Sequence, residues 1–161
     1  MIPHSIVQAV DLGHRSEFVF VSTIDKETGF PDTRVMFNLL KLRAQVLTEG
    51  PATLDSPFSS WLGTNTSSHK IQQIRKGPQV CLYFADTSTF EGLSLRGTVE
   101  EVQDQAIRAV IWMDEWAMFY PGGRDGGDFT LLRFNPLSGR YYHGLKVEEF
   151  DASAGACGFQ S

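Results

Sequence analysis

Gln79-Val-Cys-Leu-Tyr-Phe-Ala85 and Leu93-Ser-Leu-Arg-Gly-Thr-Val-Glu100, joined through Asp86 to Gly92, alternate apolar and polar side chains with a period of two. That period belongs to strands, whose successive side chains point to opposite faces. Val80, Leu82 and Phe84 share one face with Leu93, Leu95 and Val99, while Ser94, Arg96, Thr98 and Glu100 share the other. The two runs, Gln79 to Ala85 and Leu93 to Val102, predict a long antiparallel hairpin with one buried face.

Working outward, Glu17 to Ile24 reads as a strand that turns through Asp25 to Gly29 into a second, Thr33 to Leu39. Ser5 to Asp11 predicts a short leading helix. Phe58 to Gly63 predicts a third strand running into a helix that starts at Thr66 or Ser67 and stops at Gly77-Pro78. Asp104 to Phe119 has helical spacing and ends at Pro121-Gly122-Gly123, and Phe129 to Phe134 and Gly139 to Gly144 read as two last strands parted by Asn135-Pro136. About seven strands without a strand-helix-strand period favour an α+β, mainly β chain: an antiparallel barrel, closed or nearly closed, with peripheral helices. One domain is expected over residues 1–147, with a mobile tail over 148–161.

The 161 residues, 42% hydrophobic and 20% charged, are enough to bury a core without staples. A net charge of −5 argues against nucleic acid or a membrane surface as partner. Met1 to Arg15 lacks the features of an export signal, so a cytoplasmic setting is expected. Cys81 and Cys157 read as free thiols, and the four histidines show no metal spacing. No Gly-x-Ser-x-Gly nucleophile run occurs.

The chemistry concentrates in Trp61-Leu-Gly-Thr-Asn-Thr-Ser-Ser-His-Lys70. A helix N-terminus leaves amide donors unpaired and carries partial positive charge, so it suits an anion. Hydroxyls of Thr64, Thr66, Ser67 and Ser68 can donate to a phosphate, with Lys70 or His69 balancing its charge. On spacing alone a second reading stays open, in which Thr66 or Ser67 merely caps the helix and Lys70 faces solvent. Arg34 points with Met36 and Asn38, either into a cleft or into water. Trp112 and Trp116, four apart, read as core or interface packing.

Four pieces in order resemble the flavin-binding split-barrel group that includes pyridoxamine 5'-phosphate oxidases, and within it the general-stress-protein 26 branch. They are Phe20-Val-Ser-Thr-Ile-Asp with Pro31-Asp-Thr-Arg-Val-Met36; Trp61 to Lys70 with Ile74-Arg75 and Pro78 to Phe84; Leu93 to Glu100; and Trp116 to Gly123 with Leu131-Leu-Arg-Phe134. The resemblance implies a split β-barrel homodimer holding FMN at the subunit interface. It implies Arg34 near the ribityl or phosphate, with Val35 and Met36 beside it. Thr64, Ser68 and Lys70 match the phosphate positions, Trp61 would lie by the ring, and Trp116 and Tyr120 would approach from the other subunit. His69 stands where the oxidases carry arginine, and their Arg-x-His substrate pattern is missing, the nearest run being Arg140-Tyr-Tyr-His143. Pyridoxamine phosphate is therefore a poor substrate candidate. The expected function is an FMN-dependent oxidoreductase of unknown substrate, catalytic residues and small-molecule redox partner. A non-catalytic flavin-binding stress protein is the alternative, and so is a relative holding FAD, the deazaflavin F420 or haem.

Overall fold

A computed structural model describes residues 3–49 and 56–153. The chain runs α1 (His4–Arg15), β1 (Phe18–Ile24), β2 (Pro31–Phe37), a 3-10 turn (Leu40–Leu42), α2 (Arg43–Glu49), β3 (Ser60–Asn65) and α3 (His69–Lys76). It continues through β4 (Gln79–Asp86), β5 (Glu91–Glu101), α4 (Gln105–Ile111), a second 3-10 helix (Asp114–Met118), β6 (Phe129–His143) and β7 (Lys146–Asp151). The strands make one antiparallel sheet in the order β2-β1-β4-β5-β6-β3, with β7 also paired to β6. It is a split barrel rather than the closed one that the strand count allowed: β2 and β3 are the two ends of that order, with no ladder between them.

The β4–β5 hairpin sits at the centre. Val80, Leu82, Phe84, Leu93 and Leu95 are each at most 5% exposed, and burying such side chains contributes about 1.5–3 kcal/mol apiece. α1 covers this core with Ile6, Ala9 and Leu12, and α3 with Ile71 and Ile74. A second core joins Leu39 and Val46 to Trp61, Ile111, Trp116, Tyr120 and Phe129. The β1–β2 turn is built by Asp25, whose Oδ1 accepts from Glu27 N at 2.8 Å, and by Gly29 at φ +77°.

Four expectations need correction. The leading helix is longer than Ser5 to Asp11 and reaches Arg15, and α2 was not anticipated. The helix over Asp104 to Phe119 is two pieces, because Trp112 and Met113 are extended at ψ 133° each. Trp112 and Trp116 thus share no helical face, yet the break brings their rings edge to face at 5.9 Å.

The two last strands are one, β6, which passes through Pro136 without a break. Proline cannot donate to a ladder, and strands tolerate it at bulges. Here the register slips between Arg96 and Gly97: Arg96 pairs with Ser138 and Gly97 with Pro136, leaving Leu137 without a partner on β5, its carbonyl accepting instead from Ala152 N at 3.1 Å. Gly97 suits the crowding, since a Cβ there would lie 2.3 Å from the Asn135 carbonyl oxygen. Past residue 147, where a tail was expected, β7 continues to Asp151. Its polar side chains hide an edge strand fastened by the β6 ladder and by Phe150, whose ring lies 5.3 Å from that of Phe58. Residues 154–161, the rest of the expected tail and Cys157 among them, lie outside the described residues.

Candidate functional site

A cleft of about 200 Å³ opens where the two sheet ends face each other. β2 supplies Val35, Met36 and Phe37, β3 supplies Gly63, Thr64 and Asn65, and Lys70 closes one end. Trp116, Phe119 and Tyr120, from the second 3-10 helix and just after it, form the aromatic wall. Gly63 lets Trp116 lie against β3, since a Cβ there would come within 3.4 Å of the indole.

Positive charge collects at the polar end. Lys70 is half-buried, and its Nζ donates to Thr64 Oγ1 at 2.7 Å. Burial, and then the neighbouring Arg34, push the Lys70 pKa below the ordinary 10.5. Burial likewise lowers that of Arg34, partly offset by Asp32. Among the described residues no carboxylate pairs with Lys70; its partner is a neutral hydroxyl. Two cations taken partly out of water and facing one another are destabilised until an anion joins them.

The turn leading into α3 is only partly free for that anion. Ser67 N donates to Asp128 Oδ1 at 2.8 Å and Asn65 Nδ2 to Asp128 Oδ2 at 3.0 Å. The Asp128 carboxyl is held below its usual range by the Ser67 amide and then by Asn65. Thr66 N donates to the Asp128 carbonyl, and its hydroxyl pairs with that of Thr130 at 2.7 Å. The chain's own aspartate therefore occupies the Ser67 amide, and Thr66 faces Thr130. Ser68 is the N-cap position and its hydroxyl lies 3.5 Å from Thr64 Oγ1. The helix begins later than at Thr66 or Ser67, and its first turn leaves the amides of His69 and Lys70 without an intrahelical acceptor.

Of the residues singled out in the sequence, Val35, Met36, Thr64, Lys70, Trp116 and Tyr120 line the cleft, with Ser68 against Thr64; Trp116 and Tyr120 do so within the same chain, held there by packing in the second core, and not from another subunit as the resemblance implied. Arg34 lies behind its polar end, its Nη1 donating to Thr23 Oγ1 at 2.6 Å and to the Asp32 carbonyl at 2.9 Å. His69 is exposed, with Nδ1 3.9 Å from Asp32 Oδ2. Trp61 stands apart, fully buried in the second core and absent from the cleft wall. Ser67 is exposed and engages Asp128, its backbone amide donating at 2.8 Å. Phe37, Gly63, Phe119, Asp128, Thr23 and Gln73 were not foreseen. Gln72 and Gln73 both stand between Ile71 and Ile74, and nothing local in the sequence separates the buried Gln73 from the exposed Gln72.

Comparisons with known proteins agree with this architecture. The sequence model of a family described as "Pyridoxamine 5'-phosphate oxidase like" matches residues 52–149. A solved Clostridium acetobutylicum protein is 32% identical with a TM-score of 0.72, covering 91% of this chain and 93% of that one. It is described as related to general stress protein 26 of B. subtilis, in the pyridoxinephosphate oxidase family. A haem-binding protein from Mycobacterium smegmatis shares the fold at 13% identity and TM-score 0.69, over 94% of this chain and 60% of its own. A pyridoxamine 5'-phosphate oxidase-related, FMN-binding protein from Nostoc punctiforme does so at 17% and 0.63, over 90% and 86%. No curated protein matches in sequence.

Proposed function

The chain belongs to the pyridoxamine 5'-phosphate oxidase-like family, and from that premise we propose that it binds FMN and acts as an FMN-dependent oxidoreductase. The observation that carries the reading is Lys70, half-buried at one end of an aromatic-walled cleft and bonded only to the Thr64 hydroxyl among the described residues, with the Arg34 guanidinium behind it. A phosphate ester satisfies both. Lys70 and Arg34 bind it, Thr64 orients the Lys70 ammonium, and Ser68 offers a further hydroxyl. Val35, Met36, Trp116 and Tyr120 exclude water from the ring. FMN supplies hydride or electron transfer when bound. The FMN-binding neighbour on the same fold supports this cofactor, and the haem-binding one makes haem the competing ligand.

A homodimer belongs to the same proposal. The cleft of about 200 Å³ is smaller than the roughly 300–1,000 Å³ of a site that encloses a cofactor alone. Beside it, the outer face of β1 and β2 exposes Phe18, Phe20, Val35 and Phe37, at 44%, 44%, 56% and 51%. Register puts Phe18 opposite Phe37 and Phe20 opposite Val35, and the Phe37 ring lies 6.3 Å from Phe119 at the cleft. A second copy laid on this face covers apolar surface and completes the site. Among the described residues no helix is long and apolar enough to cross a membrane; a cytoplasmic setting is part of the same proposal.

The visible spectrum of the purified protein tests the reading, followed by titration with FMN and riboflavin. Flavin bands and a preference for FMN are expected, with bleaching by reduced nicotinamide cofactor if the protein turns over. Flavin that binds but stays oxidised marks a carrier. A Soret band assigns haem, and a colourless protein that takes up no flavin ends the proposal.

A further inference from the structure

Gln73 is not one of the residues that line the cleft, yet it is among the most deeply buried polar residues, at 3% exposure. It stands three residues after Lys70, one turn along the same face of α3. Its Nε2 donates to Asp32 Oδ2 at 2.5 Å, while its Oε1 accepts from the Thr23 hydroxyl at 2.5 Å and from Arg34 Nη2 at 3.5 Å. Thr23, 1% exposed, accepts in turn from Arg34 Nη1 at 2.6 Å.

The donors run in one direction. An ionised carboxylate only accepts, so Asp32 takes the Gln73 amide N–H and turns its oxygen toward Thr23. Thr23 must then donate to that oxygen, which leaves a lone pair for the guanidinium. Flipping the Gln73 amide would set its oxygen against the Asp32 carboxylate and its N–H against Thr23, leaving the Thr23 hydroxyl without an acceptor, at a cost of about 1–3 kcal/mol. The chain also keeps Asp32 occupied. Asp32 and Arg34 are two apart on β2 and share a face, and the Gln73 amide holds Oδ2 on the helix side, where His69 Nδ1 also lies 3.9 Å away.

We propose that Gln73, acting through Thr23, is the positioning residue that holds Arg34 toward the phosphate ester and keeps Asp32 from neutralising it. The inference rests on the anion-binding reading of the Lys70 and Arg34 end of the cleft. Gln73→Met frees both Arg34 and Asp32 to pair with each other. Gln73→Glu goes further, placing a second carboxylate against the guanidinium.

The test compares affinities for FMN and riboflavin in the full-length protein, with a melting curve for each variant. Wild type must first prefer FMN; if it does not, the anion-binding reading itself fails, whatever Gln73 does. Given that preference, Gln73→Met is expected to reduce it about tenfold or more, the scale of a lost charge-assisted hydrogen bond, with riboflavin binding little changed. Gln73→Glu should reduce it further. Thr23→Val keeps the side-chain shape and removes the hydroxyl that holds Arg34 while leaving Gln73 on Asp32, so it should lower the preference by less than Gln73→Met, and it decides the matter if the glutamine variant does not fold. Adding Asp32→Asn to Gln73→Met should recover much of the preference, which a merely structural role would not produce. An unchanged preference in folded Gln73→Met or Thr23→Val overturns the proposal.

Discussion

Lys70 Nζ donates to Thr64 Oγ1 across 2.7 Å, joining the first turn of α3 to a strand hydroxyl that is only 2% exposed. The ammonium is thereby aimed into the cleft while lacking a counter-charge. Lys70→Met should weaken FMN binding by about 1.5–3 kcal/mol, the range for hydrogen bonds to charged groups. Riboflavin, lacking the phosphate, should bind nearly as before. The melting temperature without ligand should hold or rise, because a half-buried charge has been removed. Equal losses for the two flavins in fluorescence titrations would count against this role.

The pH dependence follows from the same lysine. Burial and Arg34 lower its pKa from 10.5 in the folded chain, so between that depressed value and 10.5 the unfolded chain binds more protons. The destabilisation is complete below the folded pKa and is relieved as pH rises through it. A phosphate reverses the balance by favouring the charged amine. The preference for FMN over riboflavin should therefore fall on the alkaline side, before lysine's ordinary range is reached. Lys70→Arg should flatten that limb, and curves that run parallel for the two flavins contradict the assignment.

Phe18 and Phe37, with ring centroids 5.6 Å apart, lie on the exposed face of β1 and β2. Phe18→Glu and Phe37→Asp should give a folded monomer in sedimentation, with weakened flavin binding. A wild-type protein that sediments as a monomer with flavin bound would rule out the shared site.

Gly97→Ala tests the bulge that carries β6 past Pro136. The added methyl meets the Asn135 carbonyl oxygen at 2.3 Å and the Phe134 ring at 2.6 Å, and overpacking of this kind costs about 1–3 kcal/mol. Denaturant midpoints should fall accordingly; a neutral result would mean that the two strands can part there without loss.

Legibility in the sequence followed the range of the interactions. The β4–β5 hairpin could be read because its alternation is local, and Lys70 and Thr64 because one strand-to-helix junction carries both. Pro136 hid the continuity of β6, since the residue that accommodates it, Gly97, lies on the neighbouring strand. Extended backbone at Trp112 and Met113 cut a helix whose apolar spacing ran on. Asp128 and Gln73 escaped notice because their partners lie far along the chain: Ser67 is 61 positions from Asp128, and Asp32 is 41 from Gln73. Only the resemblance sets Trp61 beside the ring, whereas it is fully buried in the second core.

The lips of the cleft are two margins of the split barrel, β2 and β3, connected through the sheet only the long way round, by β1, β4, β5 and β6. A molecule lodged between them acts as a rivet across an open seam. Its arrival should register in the backbone of both margins at once, as slowed deuterium uptake along Pro31–Phe37 and Ser60–Asn65. Occupancy and the mechanical integrity of the barrel are then one quantity.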